Sequence, residues 1–254
     1  MLQFLSSNIF HSMLVFAVIF FGGAARAEGL KQVEVAGNPI AGAAHDEVSD
    51  EARLNRKMIG VVLYEGFETL DVFGPVEMWG DLPDYQVVMV SQQGGLVRSA
   101  QGVDTHATYS FDSAPQFSIL MVPGGRGARR EVDNSALLEF IRIQDKGTEW
   151  TTAVCTGSAI LARAGVLQGL NATSNKLAFD FAVNQDRSVL WNRDARWVVD
   201  GKYVTSSGVS AGTDMALGLV EKIYDRHMAE KIAHETEYVW NDDPTMDLFS
   251  GAEK

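Results

Sequence analysis

The sequence predicts an α/β fold: a largely parallel sheet flanked by helices. Three observations lead there. Short apolar, β-branched runs recur along the chain between turn residues, as strands buried on both faces require. Helix-period segments fall between those runs, and this alternation is how parallel strands are connected. The chain has 254 residues and is 46% hydrophobic, enough to bury the core of such a sheet.

Taken in order, residues 28–57 are polar and Gly/Ala-rich, with acids scattered through "AAHDEVSDEARLNRK", and read as a linker. The folded unit is expected to start at Met58. "MIGVVLY" (58–64) is a continuous apolar run, hence a buried strand, and Thr69 is placed to cap a helix from Leu70 to Trp79. "YQVVMVS" (85–91) is a second strand, and 94–110 reads as short strands with turns. "FSILMV" (117–122) is a buried strand that ends in the turn "PGGRGA". Asn134 starts a helix with Leu137, Leu138 and Ile141 on one face. "EWTTAV" (149–154) is a strand, and a helix follows Cys155. Residues 195–207 form a hairpin with Asp200-Gly201 at its turn. Residues 210–228 read as one long helix. The domain is expected to span 58–240, with a tail over 241–254. In such sheets ligands bind beyond the carboxyl ends of the strands, where the loops 65–71, 123–128 and 155–157 emerge.

Charge and the amino-terminal segment narrow the function. There are 33 acidic against 21 basic side chains, a net charge of −12. This argues against nucleic-acid binding, which needs clustered Lys and Arg to displace phosphate counterions. Residues 13–21 are apolar and are followed by glycines and Ala25-Arg26-Ala27, the pattern of a secretory signal cleaved after Ala27. The alternative is an uncleaved anchor, but the apolar run is shorter than the ~20 residues a spanning helix needs. A secreted or periplasmic location and no stable membrane span are the expectation. Cys155 is the only cysteine, so no internal disulfide forms.

Cys155 stands at a strand-to-helix turn between Ala153 and Gly157, a spacing similar to the nucleophile elbow G-x-S-x-G. A lone cysteine is often simply packed in a core; placement at the elbow favours a nucleophile. A helix N-terminus is expected to acidify the thiol, and the N–H groups of Thr156 and Gly157 are expected to face a developing anion. The glycine pair of "VPGGRG" (122–127) lets backbone approach a ligand beside the elbow. For a proton-carrying acid the candidates are Asp71, at the start of a helix, and Glu65, at a strand end; Glu77 reads as a solvated helix-face acid. None of the five histidines is next to the elbow in sequence, and no spacing suggests a metal site.

Four stretches, "GFETLDVFGPVEMW", "ILMVPGGRGAR", "AVCTGSAILARAGVLQGLNAT" and "VTSSGVSAGTDMAL", together resemble the ThiJ/PfpI superfamily over Met58 to about Trp240. "CTG" and "LDVFGP" point to the subgroup that contains isonitrile hydratases and the sensor domains of some AraC-type regulators. The resemblance implies a flavodoxin-like three-layer sandwich, a homodimer, a small-molecule substrate and no cofactor or metal. It implies Cys155 as nucleophile, Asp71 as its acid, Thr156 beside the nucleophile, and Gly124 and Gly125 at the family's backbone anion site. In two places the sequence departs from relatives: Asn175 stands where a histidine falls, and Ser207 where a glycine is usual. Isonitrile hydration through Cys155 and Asp71 is the first expectation. Glyoxalase or deglycase chemistry and a non-enzymatic sensor with an oxidisable Cys155 are the alternatives. The absence of a helix-turn-helix segment after Trp240 and the signal segment argue against a regulator.

Overall fold

The computed structural model describes residues 56–251. The signal expected over 1–27 and all but the end of the linker expected over 28–57 lie outside the described residues. In chain order the strands are β1 (Lys57–Leu63), β2 (Tyr85–Ser91), β3 (Gly95–Arg98), β4 (Asp104–Ala107), β5 (Tyr109–Ser110), β6 (Ile119–Val122), β7 (Trp150–Val154), β8 (Asn171–Ala172), β9 (Leu190–Trp191), β10 (Trp197–Asp200) and β11 (Tyr203–Ser206). The helices are α1 (Thr69–Trp79), α2 (Ala128–Glu131), α3 (Ser135–Asp145), α4 (Gly157–Ala164), α5 (Phe179–Val183), α6 (Ala211–Ile223) and α7 (Arg226–Glu235).

The main sheet runs β10-β11-β7-β6-β1-β2-β5. Every pair in it is parallel except β10 with β11. β1, β6 and β7 are its centre, and their apolar runs are buried as expected for strands covered on both faces. From β1 the chain moves one way to β2 and then back past β1 to β6 and β7. Right-handed crossovers running in opposite directions put their helices on opposite faces. Accordingly α1 packs with α6, and α6 with α7, while α4 packs with α2, α3 and α5. Trp79, fully buried, donates its indole N–H to the Ala216 carbonyl at 3.1 Å and ties α1 to α6.

Several local expectations change. Glu68, not Thr69, occupies the N-cap of α1, because the Thr69 hydroxyl is engaged with Ser99 and Gln101 from the β3–β4 hairpin. The helix expected over 210–228 is two: α6 ends at Ile223, and Asp225, in extended conformation, caps α7 by accepting the Met228 N–H at 2.8 Å. In the β10–β11 hairpin Asp200 still pairs with Tyr203, so the two-residue turn is Gly201-Lys202. The stretch after Trp240, expected as a tail, packs on the body. The Asn241 N–H reaches Asp214, the Pro244 carbonyl accepts from Arg196, and the Asp247 N–H reaches the Asp194 carbonyl at 2.7 Å. Asp247 is buried there, 3.7 Å from the Arg196 guanidinium and 3.8 Å from the Lys176 ammonium, beside a buried Arg196–Asp214 ion pair.

Asn134 caps α3 as expected, accepting from the N–H groups of Ala136 and Leu137 at 3.2 and 3.3 Å. Asn134→Ala is expected to cost about 1 kcal/mol, read as a lowered urea midpoint with an unchanged slope.

Candidate active site

Register brings the site together. Val122 is level with Ala153, and Val154 with Ser206. One or two residues further on, Gly124, Cys155 and Ser207 therefore stand side by side beyond the strand ends. Cys155 has φ 58, in the left-handed region that a residue with a side chain adopts only when its surroundings impose it. The surroundings are specific. The Cys155 N–H points at the carbonyls of Ser206 and Ser207, both at 3.2 Å. Its own carbonyl accepts from the Ser158 hydroxyl at 2.9 Å and the Ser174 hydroxyl at 3.0 Å. Gly124 lies so close that a β-carbon on it would sit 2.6 Å from the Thr156 nitrogen and 2.8 Å from Cys155 Cβ. A β-carbon on Gly157 would sit 2.8 Å from the Pro123 carbonyl oxygen.

Asp71, in the first turn of α1, is 0% exposed. Its Oδ2 accepts the Gly124 N–H at 2.9 Å; its Oδ1 has no hydrogen-bond partner among the described residues. Burial raises its pKa to about 7, against the pull of the Gly124 N–H; the Glu68 charge pushes the same way as burial, and the Cys155 thiol and the Val209 N–H oppose it. Val209 is itself held at φ 55, an unusual conformation for a β-branched residue. The Cys155 thiol is pushed up as well, first by burial and then by Asp71, with Glu68 adding to it. The Thr156 N–H and hydroxyl favour the thiolate but do not outweigh these effects. The expected acidification by the helix N-terminus is thus reversed. Both acids are buried; the Asp71 charge disfavours ionisation of the thiol, whereas the thiol favours that of the carboxylate.

Of the residues singled out from the sequence, Cys155, Asp71, Thr156, Gly124, Gly125 and Gly157 come together. The two loop glycines differ from the expectation that their amides face an anion. The Gly124 N–H is taken by Asp71, and the Gly125 N–H by the Thr156 hydroxyl at 3.1 Å. Gly125, at φ 126, forms a bridge with Phe67 that locks the two loops together. The amide that favours the thiolate is that of Thr156. Glu65 and Glu77 are exposed, and Glu65 instead accepts the Arg98 N–H. His106, His227 and His234 are exposed as well. Asn175 caps the turn into α5 through the Ala178 N–H at 3.0 Å and lies against Gly208. Sequence reasoning missed Tyr64, whose buried hydroxyl donates to the Pro123 carbonyl at 2.6 Å, as well as Ser174, Val209 and Glu68. Only Glu68 left a signal: three residues before Asp71, it shares the first-turn face of α1.

Because the folded Asp71 holds its proton to about pH 7, the native state binds more protons than the unfolded chain between about pH 4 and that value. The contribution of Asp71 to stability is therefore fully present below about pH 4 and is lost as pH rises through 7. Asp71→Asn is expected to raise the urea midpoint at pH 8 and leave it unchanged near pH 4. The same variant is expected to lower the thiol pKa, read from the pH dependence of Cys155 alkylation by iodoacetamide.

The DJ-1/PfpI family profile matches residues 57–222. Isonitrile hydratase of Pseudomonas putida is 33% identical over 180 residues, covering 71% of this chain and 78% of that protein. The HTH-type transcriptional regulator GbdR of Pseudomonas aeruginosa is 28% identical over 186 residues, 70% of this chain but only 50% of the regulator. The crystal structure of a ThiJ/PfpI family protein from Pseudomonas syringae superposes with a TM-score of 0.66 at 28% identity, covering 85% of this chain and 87% of that one. The sheet order, the positive-φ cysteine after β7 and these matches agree: this chain belongs to the DJ-1/PfpI family.

Proposed function

We propose that the protein is a cofactor-free hydratase that converts a small isonitrile and water into an N-substituted formamide, with Cys155 as nucleophile and Asp71 as proton carrier. The observation that carries this reading is the buried, unpartnered Oδ1 of Asp71, a carboxylate that senses the Cys155 thiol and whose pKa lies at about 7. The 33% identity to an isonitrile hydratase supports the substrate class. The N-terminal segment supports export, so the substrate would be met outside the cytoplasm.

The chemistry follows from the two acids. An isonitrile has a linear, uncharged, electron-pair-bearing terminal carbon, which suits a thiol only 6% exposed. As the sulfur adds to that carbon, Asp71 takes the thiol proton and passes it to the carbon. A C–S bond forms, leaving a thioformimidate on Cys155. Asp71, again a carboxylate, removes a proton from water as its oxygen adds to the same carbon. The C–S bond then breaks, one proton returns to sulfur and one goes to nitrogen. The Thr156 N–H and hydroxyl, which favour the thiolate, stabilise the departing sulfur. A group whose pKa lies near neutrality is efficient in both directions of such a relay.

Cys155→Ser and Asp71→Asn are each expected to reduce turnover of cyclohexyl isocyanide by at least about a hundredfold with the fold retained. In the unaltered protein, kcat/KM is expected to fall as pH drops below about 7, where Asp71 becomes protonated. Full activity in either variant, judged alongside circular dichroism, refutes the mechanism.

A further inference from the structure

Around Cys155, the charges that act most on the sulfur are both negative: Asp71 and Glu68. Asp71 is fully buried, whereas Glu68 is half-buried at the N-cap of α1. Its backbone is fixed to the glycine loop beside the elbow, with its N–H on the Gly124 carbonyl at 2.9 Å. Its carboxylate does not cap its own helix, the ordinary use of an acid at this position. Instead, Gln101 at the tip of the β3–β4 hairpin donates to Oε1 at 2.6 Å. The same Gln101 side chain accepts from the Thr69 N–H at 3.0 Å and the Thr69 hydroxyl at 2.7 Å. Gln101 is neutral and Glu68 forms no ion pair among the described residues, so its charge is not neutralised by a neighbour.

We propose that Glu68 is the specificity-determining charge of this site: clamped by Gln101, its carboxylate repels anionic small molecules from Cys155 and selects neutral or cationic ones. As a rule about substrates, it rests on the isonitrile reading and favours alkyl isonitriles over those bearing a carboxylate. As a statement about access to the thiol, it stands without that reading. A fixed charge within the field of a dry pocket discriminates most strongly by charge, and salt weakens the effect where the charge is near solvent.

The test alkylates the single cysteine of the full-length protein with iodoacetate and with iodoacetamide, which share a leaving group and differ by one negative charge. In the unaltered protein the iodoacetate to iodoacetamide rate ratio is expected to be low. Glu68→Gln is expected to raise it about three- to tenfold, Glu68→Asp to leave it low, and Glu77→Gln, on the exposed side of α1, to leave it unchanged. An unchanged ratio in Glu68→Gln overturns the proposal; so does an equal rise in Glu77→Gln, which would reflect net charge alone. In a parallel arm, Glu68→Gln is expected to raise the ratio of kcat/KM for isocyanoacetate to that for cyclohexyl isocyanide by a similar factor. If neither isonitrile is turned over by the unaltered protein, the hydratase reading fails, and the alkylation ratio still decides the role of Glu68.

Discussion

The left-handed backbone of Cys155 is the constraint on which the rest of the site depends. Such a conformation costs on the order of 1–3 kcal/mol at a residue with a side chain, and nothing local to the cysteine repays it. The surrounding sheet imposes it. The carbonyls after β11 take the amide, two serine hydroxyls hold the carbonyl, and two glycines let the neighbouring loop close to within contact. With the turn fixed, the Thr156 amide favours the thiolate and Gly124 stands level with the cysteine. Gly124 in turn hands its N–H to Asp71. The acid is thus placed by the same packing that bends the nucleophile.

A thiol paired with a carboxylic acid behaves differently from one paired with histidine. A histidine draws the proton away and stores the thiolate as an ion pair. Here burial holds both groups toward their neutral forms, and the Asp71 charge adds to that at the thiol. The thiolate is not stored; it arises during reaction, as the proton moves to a neighbour able to return it. This suits a substrate that itself must gain a proton on the carbon attacked.

Much of this was legible in the sequence, for physical reasons that also mark where legibility ends. Doubly buried strands are written as continuous apolar runs, so β1, β6 and β7 and the loops beyond them could be placed, and Cys155, Asp71 and Gly124 with them. Features set by distant residues could not. Thr69 reads as a cap until the hairpin thirty residues away claims its hydroxyl. The apolar pattern of 210–228 runs on past Ile223, and only the extended backbone at Asp225 divides it. The helix N-terminus suggests an acidified thiol, but depth of burial and two carboxylates decide the outcome, and neither is a property of neighbours in sequence. The amides of Gly124 and Gly125 look free until their acceptors come from α1 and the elbow.

The packing of residues after Trp240 bears on the support of the elbow. Asp247 lies between the Arg196 and Lys176 side chains, and burial lowers the Lys176 pKa to about 8 against the pull of Asp247 and Asp194. Lys176 directly follows the turn that carries Ser174, one of the two hydroxyls bracing the Cys155 carbonyl. Asp247 follows every described strand and helix in the chain. Without Asp247, the Lys176 cation behind the elbow has Asp194 to oppose its charge. The support of the nucleophile's turn therefore reaches past the last helix, into a segment that belongs to no strand or helix of its own.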